Sequence, residues 1–99
     1  MKHFIIEITF TVPFERMSET VPEHRRFLQT GYDRGWLLCS GPQSPKVGGM
    51  IVARAPSQNE IQSFFKDDPY QQKGLATYRF IEFEPVLRQG ILEEWIVKD

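Results

Sequence analysis

Between His3 and Val12 apolar and polar positions alternate, with Phe4, Ile6, Ile8, Phe10 and Val12 on one face and His3, Ile5, Glu7, Thr9 and Thr11 on the other. A period of two is the signature of a strand with one buried face. Pro13 breaks the pattern, and a period near 3.6 follows: Val21, His24, Phe27, Leu28, Gly31 and Tyr32 share one side of a helical wheel, with Arg26, Thr30, Asp33 and Arg34 opposite. Thr20-Val21-Pro22-Glu23 offers a cap, a first-turn proline and the glutamate of a capping box, and Gly35 ends the run. The spacing therefore predicts a helix from Thr20 to about Arg34, with His24 on its buried side.

Trp36 to Ser40, running into Gly41-Pro42, predicts a second strand, and Gly49 to Arg54 a third beyond the turn-forming loop from Gln43 to Gly48. The two should form a hairpin. Ser57-Gln58-Asn59-Glu60 is a second capping box, opening a helix with Ile61, Phe64 and Phe65 inward that must stop before Pro69. Ala76 to Glu84 alternates again and closes on Pro85. Strand, helix, strand, strand, helix, strand is the split pattern of an α+β ferredoxin-like fold, an antiparallel sheet with both helices on one face, here as one domain over residues 1–99. Both strand faces carry large apolar groups, paired as Phe4 and Ile5, Leu37 and Leu38, Ile51 and Val52, Phe80 and Ile81. One helical layer covers one face only, so a second subunit is expected on the other, making a homodimer. In the tail from Val86 to Asp99, Ile91, Leu92, Trp95 and Ile96 suit a short amphipathic helix, while Trp95-Ile96-Val97 equally suits a strand. Trp95 is expected to dock, with a dimer seam as one place for it.

Composition narrows the class. With 40% hydrophobic and 13% aromatic residues, the 99-residue chain can build one core. Cys39 is the only cysteine, so no internal disulfide is possible, and a reducing compartment fits. The start, Met1-Lys2-His3-Phe4-Ile5-Ile6-Glu7, lacks the features of a signal peptide, and no apolar run approaches the roughly 20 residues that span a bilayer. A soluble cytoplasmic protein is the expectation. Twelve basic against thirteen acidic side chains give a net charge of -1, which provides no bulk attraction for nucleic acid or for an anionic membrane. The basic aromatic strand motif of RNA-recognition modules is missing too, so neither partner is expected.

The reactive inventory is small. Two histidines and one cysteine stand without zinc-ligand spacing, a phosphate-binding glycine loop or a nucleophile elbow, so no metal or organic cofactor is expected. A site built from His3 and His24 would have no local ligand spacing, and Cys39 reads as a small buried filler in a strand. His24 and Asp68 stand out. His24 lies on the apolar side of the first helix, and Asp68 falls four residues after Phe64 and seven after Ile61, so a helical register points it inward. A buried carboxylate needs a partner, and a histidine ring nitrogen can donate to it, leaving its second nitrogen for proton transfer. The alternative is purely structural: a hydrogen-bonded core histidine, with Asp68 opening the turn Asp68-Pro69-Tyr70. Likewise Ser40-Gly41-Pro42 can be a plain strand-end turn, Tyr70 a surface-anchoring aromatic, Gly74 a bend, and Arg25 and Arg26 a solvated helix face.

Glu23-His24-Arg25-Arg26-Phe27-Leu28, then Gly35, Ser40-Gly41-Pro42, Gly48-Gly49, Asp67-Asp68-Pro69-Tyr70 and Gly74-Leu75, taken in this order and spacing, resemble the YciI-like family of small bacterial proteins. The resemblance implies a dimeric ferredoxin-like α/β barrel with a cleft in which His24 and Asp68 form the active site; if the protein is an enzyme, Ser40, Gly41, Pro42 and Tyr70 are the expected substrate-binding residues. It names no substrate. The function expected is a cofactor-independent small-molecule enzyme using the His-Asp pair for general acid/base chemistry of lyase, isomerase or hydrolase type. The alternative is a non-catalytic ligand-binding or regulatory dimer.

Overall fold

A computed structural model describes residues 1–97. Four strands, β1 (Lys2–Phe10), β2 (Leu37–Pro42), β3 (Gly48–Ala55) and β4 (Ala76–Phe83), form one sheet in the order β2-β3-β1-β4, with every neighbouring pair antiparallel. Two longer helices, α2 (Val21–Asp33) and α3 (Gln58–Phe65), are joined by the short α1 (Phe14–Met17), α4 (Pro69–Gln72) and α5 (Glu93–Val97). The strand order and the βαββαβ succession of the principal elements are those of the ferredoxin-like fold.

The alternation of β1 sends Phe4, Ile6 and Ile8 into the core, where they meet Leu28 of α2 and Ile61, Phe64 and Phe65 of α3. The Ser57 cap of α3 forms as expected: its Oγ accepts from the Glu60 amide at 3.2 Å and donates to the Glu60 carboxylate at 3.0 Å. Thr20 behaves otherwise. Its backbone is already helical because α1 and the turn after it deliver the chain in that conformation, and its side chain makes no cap. That first helix, Phe14–Met17, carries no sequence periodicity of its own, yet it buries Met17 completely.

Gly48 is required by close approach. A Cβ there would lie 1.9 Å from the carbonyl oxygen of Ile8, across the β1–β3 ladder. Gly35 and Gly74 have φ of +79° and +67°, the left-handed conformation that glycine enters freely, and Gly35 follows the end of α2.

Cys39 is exposed, which corrects the expectation of a buried filler. The cause is a register shift in β2: Leu37 pairs with Ala53, but Cys39 pairs with Val52, so Leu38 is the extra residue of a bulge and Cys39 turns onto the face away from the helices. The tail forms a 3-10 turn at Gly90–Leu92 and then α5, the helical alternative, while Lys98 and Asp99 lie outside the described residues. The tail returns to the helix-free face of the sheet. His3 Nε2 donates to the carbonyl of Ile96 at 3.1 Å, Arg54 Nη1 donates to that of Trp95 at 2.9 Å, and the Arg54 guanidinium lies 3.9 Å from the centroid of the Trp95 ring. Trp95 therefore docks within its own chain. Among the described residues no helix is long and apolar enough to cross a membrane.

Candidate functional site

His24 projects from the first turns of α2 toward Asp68. Its Nδ1 lies 2.8 Å from Asp68 Oδ1. Asp68 is completely buried and accepts from three donors: His24 Nδ1 and the Tyr70 amide (3.1 Å) on Oδ1, and the Tyr78 hydroxyl on Oδ2 at 2.5 Å. Asp68 also caps α4, and that role explains its inward aim. The helix containing Phe64 stops at Phe65, so the helical register invoked for Asp68 does not extend to it. Pro69 instead starts a new helix whose N-cap carboxylate folds back over the Tyr70 amide.

Proton positions follow from these contacts. Burial, with the Asp68 carboxylate adding to it, pushes the Tyr78 phenol far above its ordinary value, so it remains a donor. An ionised carboxylate only accepts, so His24 must present Nδ1–H to Asp68, and the neutral ring then carries its lone pair on Nε2. The Tyr70 ring stacks on His24 with centroids 3.9 Å apart and planes at 9°, holding the imidazole in one orientation. His24 Nε2 makes no hydrogen bond among the described residues, and the ring forms part of a cavity wall.

That cavity measures about 380 Å³ and lies between α2, the end of β1, the β2–β3 hairpin and α4. Phe10, Phe14, Leu28, Ile51 and Tyr70 supply apolar and aromatic wall, and Ser40, Gly41 and Pro42 form the side contributed by the hairpin. The structure thus brings Ser40, Gly41, Pro42 and Tyr70 to the cavity that His24 faces, with Asp68 directly behind the imidazole. Tyr70 is buried rather than a surface anchor. The Tyr32 hydroxyl and Ser40 Oγ are 2.7 Å apart. Two hydroxyl protons serve one mutual bond, so the pair retains one proton to donate to a ligand.

Several wall residues escaped sequence reading. Arg25 lines the cavity instead of belonging only to a solvated face, and Lys46 reaches it from the hairpin loop, its ammonium 4.8 Å from the Phe14 centroid. Tyr32 lay on the expected inner side of α2, but nothing local marked it as a partner of Ser40. His3 and His24 lie on opposite faces of the sheet, so they do not form a two-histidine site. Among the described residues no cluster of three or more histidine, cysteine, aspartate or glutamate side chains could hold a metal ion.

Sheet order, helix placement and the ligand-sized cavity beside His24 define a ferredoxin-like α+β domain with a recessed polar site. The chain belongs to the YCII-related domain family, whose profile matches residues 1–84. Comparison with curated proteins gives no match. Among solved structures it is similar to 5-chloro-2-hydroxyhydroquinone dehydrochlorinase of Burkholderia phenoliruptrix AC1100 in complex with 2,5-dihydroxybenzoquinone, with a TM-score of 0.67 and 18% identity over 90% of this chain and 96% of that one. At that identity the likeness establishes the shared fold.

Proposed function

We propose that this protein is a cofactor-independent small-molecule enzyme of lyase type, in which His24 Nε2 is the general base and Asp68 sets its tautomer. One observation carries the reading: Nδ1 is committed to Asp68, so the lone pair of Nε2 is left on the cavity wall. The similar structure, a dehydrochlorinase bound to a quinone, supports the reaction class. In such a step Nε2 relays the proton of one ring hydroxyl to the ring carbon that bears chlorine, which becomes tetrahedral as the hydroxyl carbon becomes a carbonyl. Nε2 then takes the proton of a second, conjugated hydroxyl; the electron pair left on that oxygen forms the second carbonyl, the displaced ring double bond closes onto the carbon that bore chlorine, and chloride leaves with its bonding electrons. The imidazolium then returns its proton to solvent, so the net loss is HCl. Asp68 stabilises the imidazolium, and Ser40, Gly41, Pro42 and Tyr70 position the substrate.

The test is chloride release and quinone absorbance with 5-chloro-2-hydroxyhydroquinone as substrate. His24→Asn should lower kcat by about 10²–10⁴-fold while the affinity for 2,5-dihydroxybenzoquinone changes far less. Full turnover by His24→Asn overturns the assignment. A native protein that binds the quinone without turning over the chlorinated substrate is a ligand-binding module instead.

The functional unit we infer is a homodimer closed across the helix-free sheet face, as a dimeric α/β barrel. That face carries Ile5, Val52 and Ile81 in one cross-strand row and Met50, Glu7 and Arg79 in the next, with Met50 and Ile81 exposed in the single chain. The tail covers only the end of the face near His3 and Arg54. Sedimentation at micromolar concentration should give twice the chain mass of 11.6 kDa, and a stable monomer would refute the dimer. Cytoplasmic residence, with neither membrane nor nucleic acid as partner, completes the proposal.

A further inference from the structure

The charge lining the cavity is one-sided. Arg25 and Lys46 reach its wall, yet no aspartate or glutamate does. The carboxylate nearest the imidazole, Asp68, is completely buried behind it, and its oxygens are occupied by three donors. Neither Arg25 nor Lys46 forms an ion pair or hydrogen bond with any described residue, and Glu23, two residues before Arg25 on α2, faces Lys73 at 3.5 Å. This concentration does not reflect the chain as a whole, whose net charge is -1. Two unpaired cations around an apolar cavity focus a positive potential there, and the low-dielectric walls strengthen it.

The two cations sit at separate places along an aromatic floor. Lys46 lies over Phe14, Phe14 stacks with Phe10 at 6.4 Å, and the Phe10 ring meets the edge of Tyr70 at 5.8 Å. Arg25 follows His24 on α2, and the His24 ring stacks on Tyr70, which puts Arg25 at the Tyr70 end; its positive charge opposes the upward push that burial and the Asp68 carboxylate exert on the Tyr70 hydroxyl. A volume of about 380 Å³ is at the small end of ligand cavities, which run roughly 300–1,000 Å³. Such a space admits a single substituted ring.

We propose that the ligand of this cavity is a small planar ring bearing anionic oxygen, a carboxylate or an ionised ring hydroxyl, selected by Arg25 beside His24 and by Lys46 at the hairpin. The inference rests on the assignment of this cavity as the functional site, and it adds the class of molecule recognised. Arg25 is the stronger determinant, because its planar fork can take two oxygens of one group, while Lys46 acts as a point charge. Placing the anion beside His24 also lets Arg25 hold the charge that develops when Nε2 removes a proton.

Calorimetric or NMR titration with matched probes tests this: 2,5-dihydroxybenzoquinone, which ionises readily, against its uncharged 2,5-dimethoxy analogue, and benzoate against benzamide. The native protein should bind each anion at least about tenfold more tightly than its neutral match, and the preference should shrink as salt rises. Arg25→Gln should remove most of the preference and Lys46→Gln part of it, with neutral-probe affinity unchanged. Both side chains are on the surface, so thermal melts should match the native protein. Equal binding of charged and neutral probes, no binding of either anion, or an Arg25→Gln Lys46→Gln double variant that keeps the preference would overturn the proposal. Chloride release is read separately: anion preference without turnover removes the lyase assignment and leaves this one standing, and turnover without anion preference does the reverse.

Discussion

Asp68→Ala should lower the unfolding free energy by about 3–5 kcal/mol, the cost typical of removing one member of a buried charged hydrogen-bonded pair. The magnitude follows from what the carboxylate holds. His24 Nδ1, the Tyr70 amide and the Tyr78 hydroxyl all donate to it, and it caps α4. Alanine leaves three donors facing each other in a space with no solvent access, and each buried unsatisfied group costs about 1–3 kcal/mol. Asp68→Asn keeps the side-chain oxygen that accepts from His24 and from the cap, and the Tyr78 hydroxyl can turn to accept from the new amide. Its cost should be nearer 1 kcal/mol. Tyr78→Phe should fall between the two, since it strips one bond from Oδ2 and leaves Oδ1 satisfied. Urea unfolding with an unchanged m-value measures the series. An Asp68→Ala protein within about 1 kcal/mol of the native one would mean that the network relaxes and carries no stability. The series also separates structure from chemistry: Asp68→Asn should fold well yet lose most turnover, because an uncharged amide no longer stabilises the imidazolium that forms on proton transfer.

The position of His24 was legible from helical periodicity alone, because α2 buries one stripe and the histidine lies on it. Asp68 does point inward, but not through a helical register continued past Phe65: the helix ends there and the aspartate turns in as the N-cap of α4. The hairpin wall Ser40-Gly41-Pro42 was visible in sequence as turn chemistry, but its place opposite His24 depends on tertiary packing. The same holds for Arg25, Lys46 and Tyr32. No periodicity distinguishes an arginine that lines a cavity from one that meets bulk water, and Lys46 sits in a loop with no period. Cys39 departs from the buried facing that alternation gives it because a bulge at Leu38 reverses the facing of everything after it, and a bulge of this kind leaves no mark in the alternation of a six-residue strand. The resemblance to YciI-like proteins brought the scattered site residues together in advance, and it did so with no information about the tail beyond residue 84.

Gly48→Ala should destabilise the protein by about 3 kcal/mol or more, toward the upper end for inserting a single methyl group. Gly48 begins β3 and pairs with Thr9 of β1. The added Cβ would lie 1.9 Å from the Ile8 carbonyl oxygen and 3.0 Å from its carbon. Both obstacles are backbone, so no side-chain rotation relieves the clash, and β1 and β3 must part. Parting them strains the bonds that seat the loop, from the Phe10 amide to the Val47 carbonyl (2.9 Å) and from the Gln43 amide to the Gly48 carbonyl (2.8 Å). The hairpin that carries Ser40, Gly41 and Pro42 then shifts against His24, so ligand binding should weaken together with stability. Gly41→Ala is the control, since a Cβ there meets nothing within 4 Å and the cost should stay within about 0.5 kcal/mol. For a domain of this size each kcal/mol moves Tm by about 4–8 °C, so the two variants should melt at least ~10 °C apart. Amide exchange at Thr9 and Phe10 should accelerate in Gly48→Ala and stay native-like in Gly41→Ala. Equal melting temperatures would show that the β1–β3 ladder yields at little cost and would remove close backbone approach as the reason for glycine at this position.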